Sequence, residues 1–168
     1  MRDFSLNHYE RAFENWLIDH RIPYIHCEDH HRLGPFDRSV KNFDFLLRPE
    51  PGRNVIAEVK GRTFAGSTLA DRAGLECWVT QDDVASLQTW KRVLGSDYEV
   101  VFVFAYRVVQ ADVDFDSHEP LVFGPDRYVF FCLLLDDYAR YMKSRSRKWR
   151  TVALAAADFR RYAKPLGT

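Results

Sequence analysis

The chain has 168 residues, of which 46% are hydrophobic and 29% charged, a balance typical of one folded domain. Basic and acidic residues number 24 each, so the net charge is zero and supplies no global attraction for a polyanion. No apolar run is long enough to span a membrane, and the first five residues are too polar for a secretory signal. These features exclude a membrane protein and a disordered chain, and we expect a cytoplasmic, soluble protein.

The first predicted element is a helix from Asn7 to about His20, because its apolar residues recur at helical spacing. Asn7 is a candidate N-cap, and Glu10, three residues later, is its capping-box partner. Pro23 ends the helix, and residues 22–27 are predicted to form a strand.

Histidines, a cysteine and acids are crowded between His26 and His31. Structural zinc sites use separated pairs of ligands, so we interpret this segment as a strand end that enters a polar loop. The three cysteines are scattered along the chain, which predicts reduced thiols rather than a disulfide framework.

Two further strands are predicted at residues 40–47 and 54–60, on either side of a turn rich in proline and glycine. Thr80 is a candidate cap for a helix over residues 81–94. The apolar run at residues 99–109 predicts a strand that is buried on both faces.

Short strands and helices are predicted for the C-terminal third of the chain. Residues 121–123 and 128–135 flank a Gly-Pro-Asp-Arg turn and predict a hairpin. A short helix at 136–143, a strand at 151–154 and a last helix at 155–163 are predicted to follow.

Three charged residues, Asp44, Glu58 and Lys60, lie within the second and third predicted strands. If these strands pair antiparallel about the intervening turn, residues whose numbers sum to 102 face each other, and Asp44 lies opposite Glu58. Alternation along a strand then places all three charges on one face. The other face is predicted to be the core side, with Phe43, Phe45, Leu47, Val55, Ala57 and Val59.

Two carboxylates and an ammonium in the middle of a sheet are costly unless they are paired or bind a metal. Carboxylate oxygens are the ligands of hard divalent cations, which lower the pKa of a bound water and stabilise charge on a phosphate. A neighbouring lysine can orient or help deprotonate that water. The alternative is a surface ion pair at a sheet edge, which the apolar flanking residues disfavour.

The segment Phe43-Asp44-Phe45…Glu58-Val59-Lys60 resembles the PD-(D/E)XK nuclease superfamily, which includes restriction endonucleases and archaeal Holliday-junction resolvases. Phe43 stands where the family usually has proline. The resemblance implies an α/β fold with a restriction-endonuclease-like core, in which a helix, a three-stranded antiparallel meander, a helix and a strand span about residues 7–107. Residues 108–168 would be a C-terminal extension of strands and short helices within a single domain of residues 1–168.

Carried over by position, the resemblance implies that Asp44 and Glu58 bind the metal and that Lys60 is the active-site lysine. The backbone carbonyl of Val59 would be a further metal ligand.

Many members of the superfamily also place a glutamate on the first helix. Glu10 and Glu14 both qualify, and Glu10 is preferred because its spacing to the apolar residues that follow resembles the first helix of the resolvases. A glutamine on the second helix often assists, and Gln81 or Gln88 could take that place.

The resemblance implies Mg²⁺ or Mn²⁺ as cofactor and a nucleic acid as substrate, with DNA endonuclease activity as the leading interpretation. A homodimer is one assembly that analogy allows. The alternatives are a catalytically inactive module of the same fold that binds nucleic acid or a protein, and a hydrolase of RNA or nucleotides. The candidate phosphate contacts are Arg62, Arg145, Arg147 and Lys148.

Overall fold

The computed structural model of the protein describes residues 6–27 and 40–167. The helices are α1 (His8–Asp19), α2 (Gln81–Leu94), α3 (Leu135–Tyr141) and α4 (Ala156–Tyr162). The strands are β1 (Tyr24–His26), β2 (Phe45–Glu50), β3 (Arg53–Phe64), β4 (Val79–Thr80), β5 (Tyr98–Val108), β6 (Leu121–Phe123), β7 (Asp126–Leu134), β8 (Lys143–Ser146), β9 (Thr151–Ala153) and β10 (Lys164–Pro165). None of the described helices is long and apolar enough to span a membrane.

The larger sheet has the strand order β1-β2-β3-β5-β7-β10, with β6 paired to β7. β1, β2 and β3 form an antiparallel meander, and α2 then connects β3 to its parallel neighbour β5. β7 returns antiparallel beside β5. The result is a mixed α/β architecture in which α1, the meander, α2 and β5 follow one another as expected from the sequence.

The predicted pairing of β2 with β3 is confirmed. Phe45 lies opposite Ala57 and Leu47 opposite Val55, so each pair of numbers sums to 102. The register shifts only beyond Leu47, near the turn. Asp44, which directly precedes β2, is therefore brought to the part of β3 that carries Glu58.

Helix α1 begins with the predicted capping box. The Asn7 side chain accepts hydrogen bonds from the first-turn amides, and the Glu10 carboxylate accepts one from the Asn7 backbone amide. Its buried residues Ala12, Phe13 and Leu17 pack on one face of the sheet. We call this face, with Phe45, Leu47, Val55, Ala57 and Val59, the α1 side.

The opposite face, the α2 side, is also buried. Its core includes Ile56, Phe102, Phe104, Trp90 and Tyr138. β3 and β5 are thus covered on both faces, as the apolar run in β5 predicts.

Phe43 was predicted to lie with Phe45 on the same face, and this prediction is wrong. Its ring packs edge-on against Trp90 on the α2 side, with 5.1 Å between ring centroids. The reason is that β2 begins only at Phe45, so strand alternation does not extend back to Phe43.

The C-terminal third completes the core. β7 lies inside the larger sheet, and Tyr138 of α3 is fully buried and donates hydrogen bonds to the Cys77 and Val152 carbonyls. A second, three-stranded sheet has the order β4-β9-β8. Sequence patterns predicted β9 but neither β4 nor β8, because β4 has only two residues and β8 has no apolar residue that could show a period.

Gly61 of β3 allows α1 to approach the sheet closely, because a Cβ there would lie 2.0 Å from Cδ2 of Tyr9. We expect Gly61→Ala to lower the free energy of unfolding by about 1–3 kcal/mol, since α1 must move outward to relieve the overlap. Chemical denaturation measures the loss. The same substitution made in a Tyr9→Ala background should cost much less, and an equal cost in both backgrounds would show that the Tyr9 contact is not its cause.

Candidate active site

Asp44, Glu58 and Lys60 meet where β2 begins beside the middle of β3. Glu58 and Lys60 lie two residues apart on the strand, and Lys60 Nζ is 2.9 Å from Glu58 Oε1. The Asp44 side chain reaches across to β3, where its Oδ2 accepts a hydrogen bond of 2.7 Å from the Val59 amide.

The Asp44 carboxylate is strongly desolvated. Burial raises its pKa well above the usual range, and the nearby Glu58 and Glu10 carboxylates raise it further. The hydrogen bond from the Val59 amide and the charge of Lys60 act in the opposite direction without cancelling the shift. A second positive charge at this position would therefore stabilise the ionised form.

Glu58 is held with only one of its two oxygens satisfied. Its side chain is 12% exposed, and Oε1 accepts from Lys60. Oε2 is buried and has no hydrogen-bond partner among the described residues. Burial raises the pKa of Glu58, with Asp83 and Glu10 adding to the rise and Lys60 opposing it. An orphaned carboxylate oxygen in such surroundings is costly unless a ligand binds it.

Lys60 is shared between two acids. Its Nζ lies 3.1 Å from Asp83 Oδ2 and 2.9 Å from Glu58 Oε1. Burial alone would lower the pKa of Lys60, but the Glu58 and Asp83 carboxylates outweigh it and leave the pKa above its ordinary value. Lys60 is therefore an ammonium at neutral pH.

Asp83 is a site residue that the sequence predictions missed. It is the third residue of α2, where it forms a reciprocal capping box with Thr80. Its side chain is 6% exposed and also binds Lys41 Nζ at 3.1 Å. Burial disfavours the ionised form, but Lys60 and the Thr80 hydrogen bonds prevail and lower the pKa of Asp83 to about 2.

The signal that could have identified Asp83 is the Thr80-x-x-Asp83 spacing, a capping-box pattern that fixes the acid at the start of the helix. The helix residues proposed from the sequence were Gln81 and Gln88, and both side chains are exposed. On α2, the described contact to Lys60 comes from Asp83.

The two glutamates of α1 lie in different surroundings. Glu10 is close enough to raise the pKa of both Asp44 and Glu58, while its carboxylate also accepts from Asn7 in the capping box. Glu14 instead accepts a hydrogen bond of 2.8 Å from the Tyr24 hydroxyl. The structure thus brings Glu10, rather than Glu14, towards the two acids.

Arg62 is one of the predicted phosphate contacts. Its guanidinium donates to the backbone carbonyls of Gly61 and Trp78 and stacks 3.8 Å from the Trp78 ring centroid. Burial lowers the pKa of Arg62. These contacts give Arg62 a role in fixing Trp78.

The other predicted phosphate contacts, Arg145, Arg147 and Lys148, are exposed. They belong to the β8–β9 hairpin rather than to an irregular turn. Arg145 lies 5.2 Å from the centroid of the Trp78 ring that Arg62 also contacts. The hairpin is therefore joined through Trp78 to the end of β3.

Among residues 6–27 and 40–167, no group of three or more His, Cys, Asp or Glu side chains is arranged to hold a metal ion as it stands. The donor chemistry of Asp44 and Glu58 nevertheless fits a hard divalent cation, because both supply carboxylate oxygens and Glu58 Oε2 has no other described partner. Of the crowded segment from His26 to His31, only His26 and Cys27 fall within the described residues.

No protein-family model matches the chain, and no curated protein matches it significantly. Among solved structures, it is similar to Hjc, a Holliday junction resolvase from the archaeal hyperthermophile Archaeoglobus fulgidus. The two are 14% identical, with a TM-score of 0.47 over 90% of this chain and 88% of the other. An identity and a TM-score this low do not assign a function to the chain.

Asp83 contributes stability that depends on pH. Since its folded-state pKa of about 2 lies below the unfolded value, its contribution is present above about pH 4 and is lost as the pH falls to about 2. We expect Asp83→Asn to lower the free energy of unfolding by about 2 kcal/mol at pH 7, and its difference from the parent protein to shrink below pH 4. Denaturant unfolding across this pH range measures both effects.

Asp82→Asn is the matched control. Asp82 is the preceding residue and forms an exposed ion pair with Arg150 at 3.4 Å, so its loss should cost less than about 0.5 kcal/mol. An Asp83→Asn effect that stays constant between pH 7 and pH 2.5 would contradict the assignment of a charged, buried Asp83.

Proposed function

We propose that this chain is a metal-dependent nuclease of the PD-(D/E)XK type that cleaves phosphodiester bonds within DNA. The observation that carries the proposal is the Glu58 carboxylate. It is 12% exposed, has one oxygen with no hydrogen-bond partner in the described part of the chain, and lies beside the desolvated Asp44 and the ammonium of Lys60.

This arrangement is costly for a purely structural role. Burial raises the pKa of both Asp44 and Glu58, Glu58 raises that of Asp44 further, and Asp83 and Glu10 raise that of Glu58, whereas apolar residues of similar size would pack without this penalty. Carboxylates with pKa values raised by burial and by neighbouring carboxylates are typical of sites that bind a cation or move a proton. A divalent cation would remove the repulsion between them.

Asp44, Glu58 and the Val59 carbonyl would hold Mg²⁺ or Mn²⁺, with Glu10 as a further ligand directly or through water. When bound, such a cation lowers the pKa of a water molecule and stabilises charge on the phosphate. Gly61 lets α1 lie close to β3 at Tyr9, and from there Glu10 would reach the cation.

Lys60 would act as a hydrogen-bond donor and positive charge. Because Glu58 and Asp83 raise its pKa, it is poorly suited to accept a proton and well suited to orient the attacking water or a phosphate oxygen. Asp83 is a positioning residue, since its carboxylate lies 3.1 Å from Lys60 Nζ and stays ionised.

Phosphate contacts outside the strand pocket would come from Lys41 and the β8–β9 hairpin. Lys41 pairs with Asp83 yet is 55% exposed, so its ammonium can also face a substrate phosphate. Arg145, Arg147 and Lys148 are the exposed cations of the hairpin.

Asp44→Asn and Glu58→Gln should each reduce metal-dependent cleavage by at least about 100-fold, because each removes a charged ligand while preserving side-chain shape. The measurement is a Mg²⁺ and Mn²⁺ cleavage screen over linear, circular, single-stranded and branched DNA, and RNA. Each metal-free variant should be at least as stable as the parent chain, since a raised pKa means that the ionised acid opposes folding at pH 7.

Calorimetric titration of metal into the double variant provides an independent readout. Unchanged Mg²⁺ or Mn²⁺ affinity in Asp44→Asn/Glu58→Gln would falsify the assignment of these acids as ligands. Metal binding and DNA binding without cleavage on any probe would favour the inactive binding module instead.

Glu10→Gln and Glu14→Gln form a matched pair one turn apart on α1. We expect Glu10→Gln to weaken metal affinity by about 10- to 100-fold, because a carboxylate near the cation is lost while glutamine can still complete the capping box with Asn7. Glu14→Gln should leave metal affinity unchanged, since Glu14 binds Tyr24. Equal losses in the two variants would exclude a specific role for Glu10.

A further inference from the structure

Trp149 lies at the tip of the β8–β9 hairpin with 69% of its surface exposed, the largest exposed fraction among the large hydrophobic side chains of the described residues. The other Phe, Tyr and Trp side chains of residues 6–27 and 40–167 are at least partly buried. Burying an exposed indole against a partner is favourable, by about 25 cal/mol for each Å² of apolar surface removed from water. Packing among the described residues leaves most of the Trp149 surface available for such a contact.

The hairpin tip is an ordered turn. Arg150 donates its backbone N–H to the Arg147 carbonyl at 3.3 Å, and the Trp149 amide donates to Ser146 Oγ at 3.2 Å. Arg150 also has a positive φ of 49° and pairs with Asp82 at 3.4 Å. The turn thus presents Trp149 from a defined backbone rather than from a loose loop.

The hairpin is tied directly to the proposed active site. Thr151 of β9 lies opposite Thr80 of β4, and the Gln81 amide donates to the Arg150 carbonyl at 2.8 Å. Thr80 in turn caps α2 through Asp83, whose carboxylate holds Lys60. A ligand on Trp149 is therefore positioned relative to Lys60 through a continuous set of hydrogen bonds.

The chemistry around Trp149 selects its partner. Residues 143–153 contain five basic residues and no acid, and Lys148 Nζ lies 5.2 Å from the Trp149 ring centroid. Cations beside an exposed aromatic face match a phosphate backbone whose bases offer their own aromatic faces. In a continuous duplex those faces are already stacked on their neighbours, so a ring at a turn tip can reach only a base whose stacking is interrupted.

We propose that Trp149 stacks on an unpaired nucleobase, so that the substrate of the site is DNA in which duplex meets single strand. This inference rests on the proposed function, because it names the substrate class of the same site. Arg147 and Lys148 bind the adjoining phosphates, and the ring fixes where the junction lies relative to Lys60.

The test is equilibrium binding in EDTA, which needs no metal and permits no metal-dependent cleavage. The probes are a splayed duplex with unpaired arms and a blunt duplex with the same number of nucleotides, each with 2-aminopurine as the fluorescent base. Trp149→Ala should weaken binding to the splayed probe by about 5- to 100-fold and alter blunt-duplex binding less than about twofold. Stacking of the ring on 2-aminopurine should quench its fluorescence. Trp149→Phe should restore most of the affinity and of this quenching relative to Trp149→Ala, because phenylalanine still offers an aromatic face.

Lys148→Ala is the control for charge. Lys148→Ala should weaken binding to both probes alike and lower the slope of log affinity against log salt by about 0.9 on duplex DNA. The inference is overturned if Trp149→Ala weakens binding to both probes equally or to neither. It is also overturned if the ring is needed instead for binding to vesicles of anionic phospholipid. Selective binding without cleavage by the metal-loaded chain would overturn the proposed function alone.

Discussion

The site depends on charges placed in a strand that is covered on both faces. β3 packs Ala57 and Val59 against α1 and Ile56 against the α2 side, so Glu58 and Lys60 have little water to solvate them. From α2, Asp83 holds the ammonium of Lys60. Among the described residues, Glu58 Oε2 has no hydrogen-bond partner, and the proposed cation site rests on that imbalance.

Those parts of the site that arise from local patterns could be predicted from sequence. Strand alternation and a short turn determine the β2–β3 register, which in turn brings Asp44 beside Glu58. Asn7 and Glu10 are three residues apart, so the start of α1 follows from capping chemistry. Lys60 follows because it lies two residues beyond Glu58 on the same strand face.

The remaining contacts depend on how elements distant in sequence pack against one another, and hydrophobic periodicity along the sequence does not predict this packing. Asp83 lies 23 residues beyond Lys60 and meets it only because α2 crosses back over the sheet between parallel β3 and β5. Phe43 takes the opposite face from Phe45 because β2 begins late and Trp90 is available to pack against it. The contacts of Arg62 could not be predicted either, because nothing in the sequence shows that Trp78 and its carbonyl lie beside it.

A net charge of zero is compatible with binding a polyanion when the charges are segregated. At physiological ionic strength, exposed charges act over about 8 Å, so a phosphate responds to the side chains nearest to it rather than to the total. Glu58 and Asp83 are largely buried and pair with Lys60, whereas the β8–β9 hairpin carries its cations on an exposed surface without acids of its own. The buried acids are thus separated from the exposed cations. A chain with a large positive total would attract any polyanion, whereas this distribution confines such attraction to a few contacts.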